Sequence, residues 1–113
     1  MVDDCLFCRI VAGEVPADVV HATDRVLAFR DVDPQAPTHV LVVPKEHHRD
    51  AASLAAADPA TSAELVTAAA AVAEAAGHAD YRLVLNTGAG VGQTVLHTHL
   101  HVLAGRPMTW PPG

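Results

Sequence analysis

One short run of alternating residues, residues 95–103, constrains the fold of this 113-residue chain more than any other feature. Its sequence is Val-Leu-His-Thr-His-Leu-His-Val-Leu. Successive side chains of a β-strand point to opposite faces, so the run predicts a strand with two different faces. One face carries His97, His99 and His101, and the other carries Thr98, Leu100 and Val102. We expect the second, largely apolar face to pack on the core.

One ion could not easily bind all three imidazoles unless the strand bends. At ~3.3 Å per residue, the outer pair is about 13 Å apart along a strand. Separate roles fit this spacing better: His97 would bind a metal, His99 would take part in a reaction, and His101 would handle a proton or contact a phosphate oxygen. The alternative is a solvated strand face, although strands favour β-branched and aromatic residues over a row of histidines.

Length and charge exclude several classes of function. The chain fits one domain over residues 1–113, with a tail over residues 104–113. A net charge of −6 with only seven Lys and Arg argues against a nucleic-acid-binding surface. No apolar run approaches the length of a membrane span, and Met1-Val2-Asp3-Asp4 does not resemble a secretory signal. We therefore expect a cytoplasmic protein that binds neither nucleic acid nor a membrane.

The remaining pattern predicts an α+β fold with an antiparallel sheet, because strands surround one main helix with short connections. Apolar spacing predicts a short helix over residues 5–12, and an alanine-rich run predicts a second helix over residues 61–76. The predicted strands cover residues 19–21, 26–30, 39–43, 81–85 and 95–103.

A glycine-rich loop directly precedes the histidine run. Gly88, Gly90 and Gly92 let the backbone approach a ligand closely, and successive N–H groups in such a loop bind anions. No phosphate-binding motif of kinases or dinucleotide-binding proteins is present. The loop and the histidines together predict a site that binds an anion, such as a phosphate, next to a nucleophile.

Two cysteines three residues apart, Cys5 and Cys8, indicate a metal pair. A structural disulfide is uncommon in the expected compartment. A redox Cys-x-x-Cys normally follows a strand, and no predicted strand precedes residue 5. Redox use and free thiols remain as alternatives.

Several motifs, in order along residues 5–113, resemble the histidine-triad (HIT) superfamily. The His-x-His-x-His pattern at residues 97–101 matches its signature, and Gly-Gln-Thr-Val at residues 92–95 matches the segment before it. Residues 31–39 and the Trp-Pro-Pro-Gly ending at residues 110–113 are similar to its nucleotide-binding HINT branch. Thr94 stands where many members have serine.

The resemblance implies a HIT-fold homodimer, with two sheets joined across the two-fold axis, that hydrolyses purine nucleoside phosphoramidates or related nucleotide conjugates. It assigns His99 as the nucleophile that forms a nucleotidyl-histidine. His101 would hold a phosphate oxygen, and Thr94 would hydrogen-bond the leaving-group nitrogen.

The resemblance also implies a set of substrate-binding residues. Asp31 resembles the ligand of the ribose hydroxyls, and Trp110 resembles a tail residue that shapes the leaving-group side of the partner subunit's site. The phosphate-site positions are Asn86, Gly92, Gln93 and Val95, and the purine slot is Leu6, Phe7, Ile10, Phe29 and Val32. The alternative for the slot residues, Ile10 above all, is an ordinary core position.

A structural Zn²⁺ is implied by the same resemblance. The first histidine of the triad and a histidine after Pro-Lys-x complete the ligand set in zinc-bearing members. Here the four ligands would be Cys5, Cys8, His47 and His97. Such a Cys₂His₂ set is typical of closed tetrahedral structural sites.

Other functions remain open at this stage. A dinucleoside polyphosphate hydrolase is the nearest alternative enzyme, although the Trp110 tail favours the HINT branch. A nucleotide-binding protein with little turnover is the second alternative. A mononuclear metal oxygenase is the third, and the last strand offers no carboxylate ligand for it.

Overall fold

The computed structural model describes residues 4–113 as one antiparallel sheet with helices on both faces. The helices are α1 (Leu6–Val11), α2 (Ala51–Ala57) and α3 (Pro59–Ala75). The strands are β1 (Val19–Ala22), β2 (Val26–Arg30), β3 (Thr38–Pro44), β4 (Arg82–Val84) and β5 (Leu100–Ala104), in the spatial order β1-β2-β3-β5-β4. The predicted α+β class and antiparallel sheet are confirmed.

The sheet separates two apolar clusters. Every residue of β3 is buried, because this strand lies in the middle of the sheet and is covered on both faces. Leu54 of α2 and Leu65 and Val72 of α3 pack on one face of the sheet. Phe7 of α1 packs against Phe29 and Leu41 on the opposite face. The small cluster under α1 forms the floor on which the site is built.

Helix α2 was not predicted, and one residue explains its junction with α3. The Asp58 amide donates to the Leu54 carbonyl (2.7 Å) and ends α2, while the Asp58 carboxylate accepts from the Thr61 amide (3.1 Å) and begins α3. Pro59 occupies the first position of α3, where a missing N–H costs nothing. Leu54 is the only buried residue of α2, so the alanine run shows little helical periodicity.

The prediction of one strand over residues 95–103 is wrong in its first half. Strand β5 begins only at Leu100, and His97 lies in a bend before it. The amide and hydroxyl of Thr98 both donate to the His48 carbonyl (2.8 and 3.0 Å), which holds the backbone away from the sheet. The bend sends the His97 ring toward the cysteines of α1. The alternation holds within β5, where Leu100 and Val102 join the α3-side cluster.

The glycine-rich loop is a short 3₁₀ turn over Ala89–Val91. Gly88 and Gly92 flank it with φ values of 96° and 99°, a region that side chains other than glycine rarely adopt. None of the helices within residues 4–113 has the length and apolarity that crossing a bilayer requires.

Candidate active site and metal centre

His99 is held in one tautomer by the backbone. Its Nδ1 lies 2.8 Å from the carbonyl oxygen of His97. Because a carbonyl only accepts, Nδ1 carries the proton and Nε2 keeps its lone pair. The ring is buried and packs edge-on against Phe7, with 5.0 Å between centroids. His99 is therefore a fixed imidazole with one nitrogen available for attack.

A chain of hydrogen bonds sets the tautomer of His101 in the opposite sense. The Gln35 amide donates to His39 Nδ1 (3.0 Å), so the neutral His39 ring carries its proton on Nε2. That nitrogen lies 2.9 Å from His101 Nδ1 and 3.4 Å from the Asp31 carboxylate. His101 Nδ1 accepts, which leaves a proton on His101 Nε2. The two triad rings, 5.0 Å apart, thus offer one lone pair and one N–H.

Burial favours the neutral forms of His101 and His39. Desolvation lowers the pKa of His101 to about 4, and the nearby His99 and His39 add to that shift. Desolvation also lowers the pKa of His39, against the opposing effect of Asp31. Neutral rings match the tautomer assignment, since a protonated imidazole has no acceptor nitrogen.

His39 is a site residue that sequence reasoning missed. It was placed at the start of a predicted strand and within the motif of residues 31–39, without a role. Its signal lay in the strand register. Leu41 is opposite His101 in the ladder between β3 and β5, and His39 shares the face of Leu41. Without that register, the sequence gives no reason to bring His39 next to His101.

Four predicted metal ligands come together as expected. Cys5 Sγ and Cys8 Sγ lie 3.4 and 3.6 Å from His97 Nδ1, and His47 Nδ1 lies 3.4 Å from Cys8 Sγ and 3.2 Å from His97 Nδ1. With bonds of about 2.3 Å to sulfur and about 2.0–2.1 Å to nitrogen, the edges of a tetrahedral site are about 3.3–3.8 Å long. These four distances are close to such edges and all the ligand atoms lie within 4.8 Å of one another, so the cluster could hold a metal ion.

The surroundings of the cluster also suit a metal. His97 Nε2 donates to the Pro44 carbonyl (2.8 Å), which leaves Nδ1 as the ligand nitrogen. Burial lowers the pKa of His97 to about 4, so the ring is neutral. His97 is bifunctional, because its side chain lies in the cluster while its carbonyl fixes His99.

The predicted purine slot is a real cavity of about 430 Å³. Phe7 and Phe29 form its nearly buried floor, Ile10 is half-buried, and Leu6 and Val32 are exposed at its rim. Asp31 also lines it. The structure thus brings together the five predicted purine-slot residues and the predicted ribose ligand.

Of the residues predicted to bind the phosphate, Asn86 and Gly92 lie close together, and Gln93 uses its side chain to hold the backbone. Asn86 Nδ2 lies 3.8 Å from the point where a Cβ on Gly92 would lie. The Gln93 side chain is buried and fully used by the backbone, since it accepts from Gly88 N and donates to the carbonyls of Arg49 and Val95. Gln93 therefore braces the loop.

Two predicted positions lie outside the purine cavity. Thr94 is exposed and lines a neighbouring cavity of about 490 Å³. Trp110 is 84% exposed and forms part of neither cavity wall. Its tail is held by a hydrogen bond from the Arg82 guanidinium to the Thr109 carbonyl (3.0 Å).

Comparison with known proteins gives one consistent family. The family model described as HIT domain matches residues 12–108. An uncharacterized HIT-like protein of Synechocystis sp. is 47% identical over 100% of both chains. A purine nucleoside phosphoramidase of Escherichia coli (strain K12) is 40% identical, over 96% of this chain and 92% of its own length. The crystal structure of a HIT family hydrolase from Legionella pneumophila superposes with a TM-score of 0.93 and 48% identity, covering 97% of this chain and 100% of that one.

Proposed function

We propose that this chain, which belongs to the HIT domain family, hydrolyses purine nucleoside phosphoramidates or related nucleotide conjugates at the α-phosphorus. One observation carries the proposal. The His97 carbonyl holds the proton of His99 on Nδ1, so Nε2 is a fixed, unprotonated nucleophile beside an N–H donor. A neutral imidazole is a competent nucleophile near neutral pH.

The proposed reaction has two displacements at phosphorus. In the first, His99 Nε2 forms a bond to phosphorus while the P–N or P–O bond breaks, and the leaving atom takes the bonding electron pair and a proton from solvent. In the second, water attacks phosphorus and releases a proton to solvent, the bond to His99 breaks with its electron pair returning to Nε2, and the nucleoside monophosphate leaves. His101 Nε2–H donates to a phosphate oxygen throughout, and the Thr94 hydroxyl hydrogen-bonds the leaving-group nitrogen. Splitting the displacement makes each step easier.

The purine is proposed to occupy the cavity whose floor is formed by Phe7 and Phe29, with Asp31 binding the ribose hydroxyls. An apolar cavity of about 430 Å³ suits a purine ring, and Asp31 joins that cavity to the triad through His39. The name of the E. coli relative supports the same class of substrate.

The metal ion is proposed to be a structural Zn²⁺ held by Cys5, Cys8, His47 and His97. A Cys₂His₂ set leaves no open coordination position, so the ion would connect α1 to the bend before β5 and stabilise the fold. No step of the proposed reaction is assigned to the ion.

The protein is further proposed to act as a homodimer in the cytoplasm. The tail supports this proposal, because Trp110 is 84% exposed and three of the eight prolines follow Arg106. A large apolar surface is costly to leave in water, and a proline-rich segment stays extended at low entropic cost. We infer that Trp110 shapes the leaving-group side of the partner subunit's site.

The substitution His99→Ala tests the proposed function. With an adenosine phosphoramidate, kcat should fall at least ~10³-fold, because no other group forms the covalent bond. Calorimetric binding of AMP should survive, because the purine cavity is untouched. A residual activity within about tenfold of wild type would show that His99 is not the nucleophile.

A further inference from the structure

We infer that the leaving-group side of the site selects amines that carry a carboxylate, and that Arg49 is the residue that selects them. This inference rests on the proposed function, because it takes Thr94 as the residue that meets the leaving group. It concerns the chemistry of the group that is removed, which neither the triad nor the purine cavity determines.

The relevant space is the cavity of about 490 Å³ that Thr94 lines. Arg49, Leu6 and Leu96 form other parts of its wall, and two of the proposed metal ligands also line it. Leu6 also lines the purine cavity, so the two cavities adjoin at that side chain. With the leaving-group nitrogen at Thr94, as the proposed function has it, the removed amine would extend into the cavity that Arg49 also lines.

The backbone of Arg49 is fixed relative to Thr94. The buried Gln93 side chain donates to the carbonyls of Arg49 (2.7 Å) and Val95 (3.2 Å), which connects the two walls of the cavity through one amide. Asp50, the next residue, uses its carboxylate to accept from the Ser53 amide (2.9 Å) at the start of α2. The backbone of Arg49 is thus anchored. Its guanidinium forms no ion pair with the adjacent Asp50, whose pKa is lowered mainly by its hydrogen bonds to Ser53 and in part by the charge of Arg49.

Arg49 differs from the other arginines in having no partner within residues 4–113. Three arginines form ion pairs with acidic side chains, and two donate to backbone carbonyls. The ion-paired arginines are Arg9, Arg25 and Arg30, and the others are Arg82 and Arg106. The chain has a net charge of −6, so a guanidinium that lines a cavity and has no acidic partner among the described residues is unusual in it.

A guanidinium recognises a carboxylate through two parallel hydrogen bonds, and binds a neutral amide or an ammonium group less well. An amino acid linked to phosphorus through its amine places a carboxylate close to the scissile nitrogen. With that nitrogen at Thr94, the carboxylate would enter the cavity that Arg49 lines. Asp4 lines the same cavity without pairing with Arg49, and its charge would oppose the selection.

The test compares three adenosine 5′-phosphoramidates that differ in one group: those of glycine, glycinamide and ethylenediamine. Wild type should hydrolyse the glycine compound with a kcat/KM at least about threefold above the glycinamide compound, the size expected of a solvent-exposed ion pair. Arg49→Gln should remove this advantage, because it should lower the rate of the glycine compound more than that of the glycinamide compound. Arg49→Lys should keep part of it, and Arg49→Glu should favour the ethylenediamine compound.

Two matched variants separate selection from a general charge effect. Arg9→Gln removes the same charge from an exposed arginine that lines neither cavity, and should leave all three rates in their wild-type ratio. Asp4→Asn should increase the advantage of the glycine compound. Raising the salt concentration should shrink the advantage in wild type and leave Arg49→Gln unchanged, because screening weakens exposed ion pairs.

Equal rates for glycine and glycinamide compounds in wild type, or equal losses for all three in Arg49→Gln, would overturn the inference. Binding of the same compounds to His99→Ala, measured by calorimetry, separates this failure from failure of the proposed function. A wild type without turnover contradicts the proposed function, while the affinity ratio in His99→Ala still decides whether Arg49 selects the carboxylate.

Discussion

At the scale of single residues, the site depends on which nitrogen of each imidazole carries the proton. His99 and His101 have the same side chain and lie 5.0 Å apart, yet the backbone carbonyl of His97 and the ring of His39 give them opposite tautomers. The alternation of histidines predicted that these residues share a site. It did not predict the tautomers. The tautomer of His101 depends on His39, 62 positions away in the chain, and that of His99 depends on the local backbone path that brings the His97 carbonyl to its ring.

The depressed pKa of His101 makes a prediction about stability. An unfolded histidine titrates near 6.5, whereas His101 in the fold titrates at about 4. The unfolded chain therefore binds the proton first, and stability present above about pH 6.5 is lost as the pH falls toward about 4. At about pH 5, His101 alone should cost at most about 2 kcal/mol of the free energy of unfolding.

The check is urea unfolding of wild type and His101→Gln at neutral pH and at about pH 5. Glutamine keeps an acceptor for His39 and does not titrate. Wild type should lose more stability than the variant between the two pH values. The same loss in both proteins would mean that His101 is not held neutral by the fold.

At the scale of elements, the sequence predicted faces better than boundaries. The parity of Leu100 and Val102 correctly placed β5 on the core, since period-two alternation survives wherever the strand begins. The predicted start of β5 was wrong because Thr98 donates a hydrogen bond to the His48 carbonyl. This contact joins segments that are far apart in the chain, so the local sequence pattern does not predict it. Helix α2 was missed because its alanines give almost no apolar periodicity.

Helix α1 gives a test of the purine cavity with a built-in control. Ile10 and Val11 are neighbours on α1 and both pack against the cluster under it, but only Ile10 lines the cavity. Ile10→Ala should raise KM for an adenosine phosphoramidate about fivefold with kcat unchanged, the cost of about 1 kcal/mol of lost apolar contact in both ground and transition states.

Val11→Ala should lose similar stability and keep the wild-type KM. Steady-state kinetics and thermal unfolding of both variants decide the matter. If the two substitutions change KM equally, Ile10 is an ordinary core residue and the purine does not lie against it.

At the scale of the whole molecule, the metal centre connects segments that the sheet alone leaves separate. It brings α1, the segment after β3 and the bend before β5 to one point. Freshly purified protein should contain one zinc per chain. Chelation should lower the melting temperature more than it lowers the initial rate at a temperature where the fold survives, because the ion is structural.

Metal analysis and thiol titration on the same sample check this prediction. Cys8→Ser, which removes one ligand, should reduce the bound zinc and reproduce the loss of stability. Protein without metal and with two freely titratable thiols would refute the zinc assignment.

The tail makes a prediction about the assembly. Deleting residues 108–113 should leave a folded, zinc-loaded dimer that binds AMP almost normally, because the purine cavity contains none of these residues. The deletion should change kcat/KM unequally across leaving groups, since only that side of the site is proposed to meet Trp110. Sedimentation, calorimetry and a panel of phosphoramidates provide the readouts.

Equal losses across the panel, or no loss, would indicate a tail without a role in specificity. The motif of residues 110–113 and the exposure of Trp110 are the two features that support the proposed partner subunit. The assembly is the scale at which the sequence and the structure of one protomer predict least.

The most direct test of the account is the covalent intermediate itself. Wild-type protein mixed with excess adenosine phosphoramidate, quenched in alkali within one turnover and analysed by mass spectrometry, should carry one adenylyl group on the His99 imidazole. Peptide mapping should locate it there, and His99→Ala should carry none. Turnover without an adduct on His99, or an adduct on another residue, would contradict the assignment of His99 as the nucleophile.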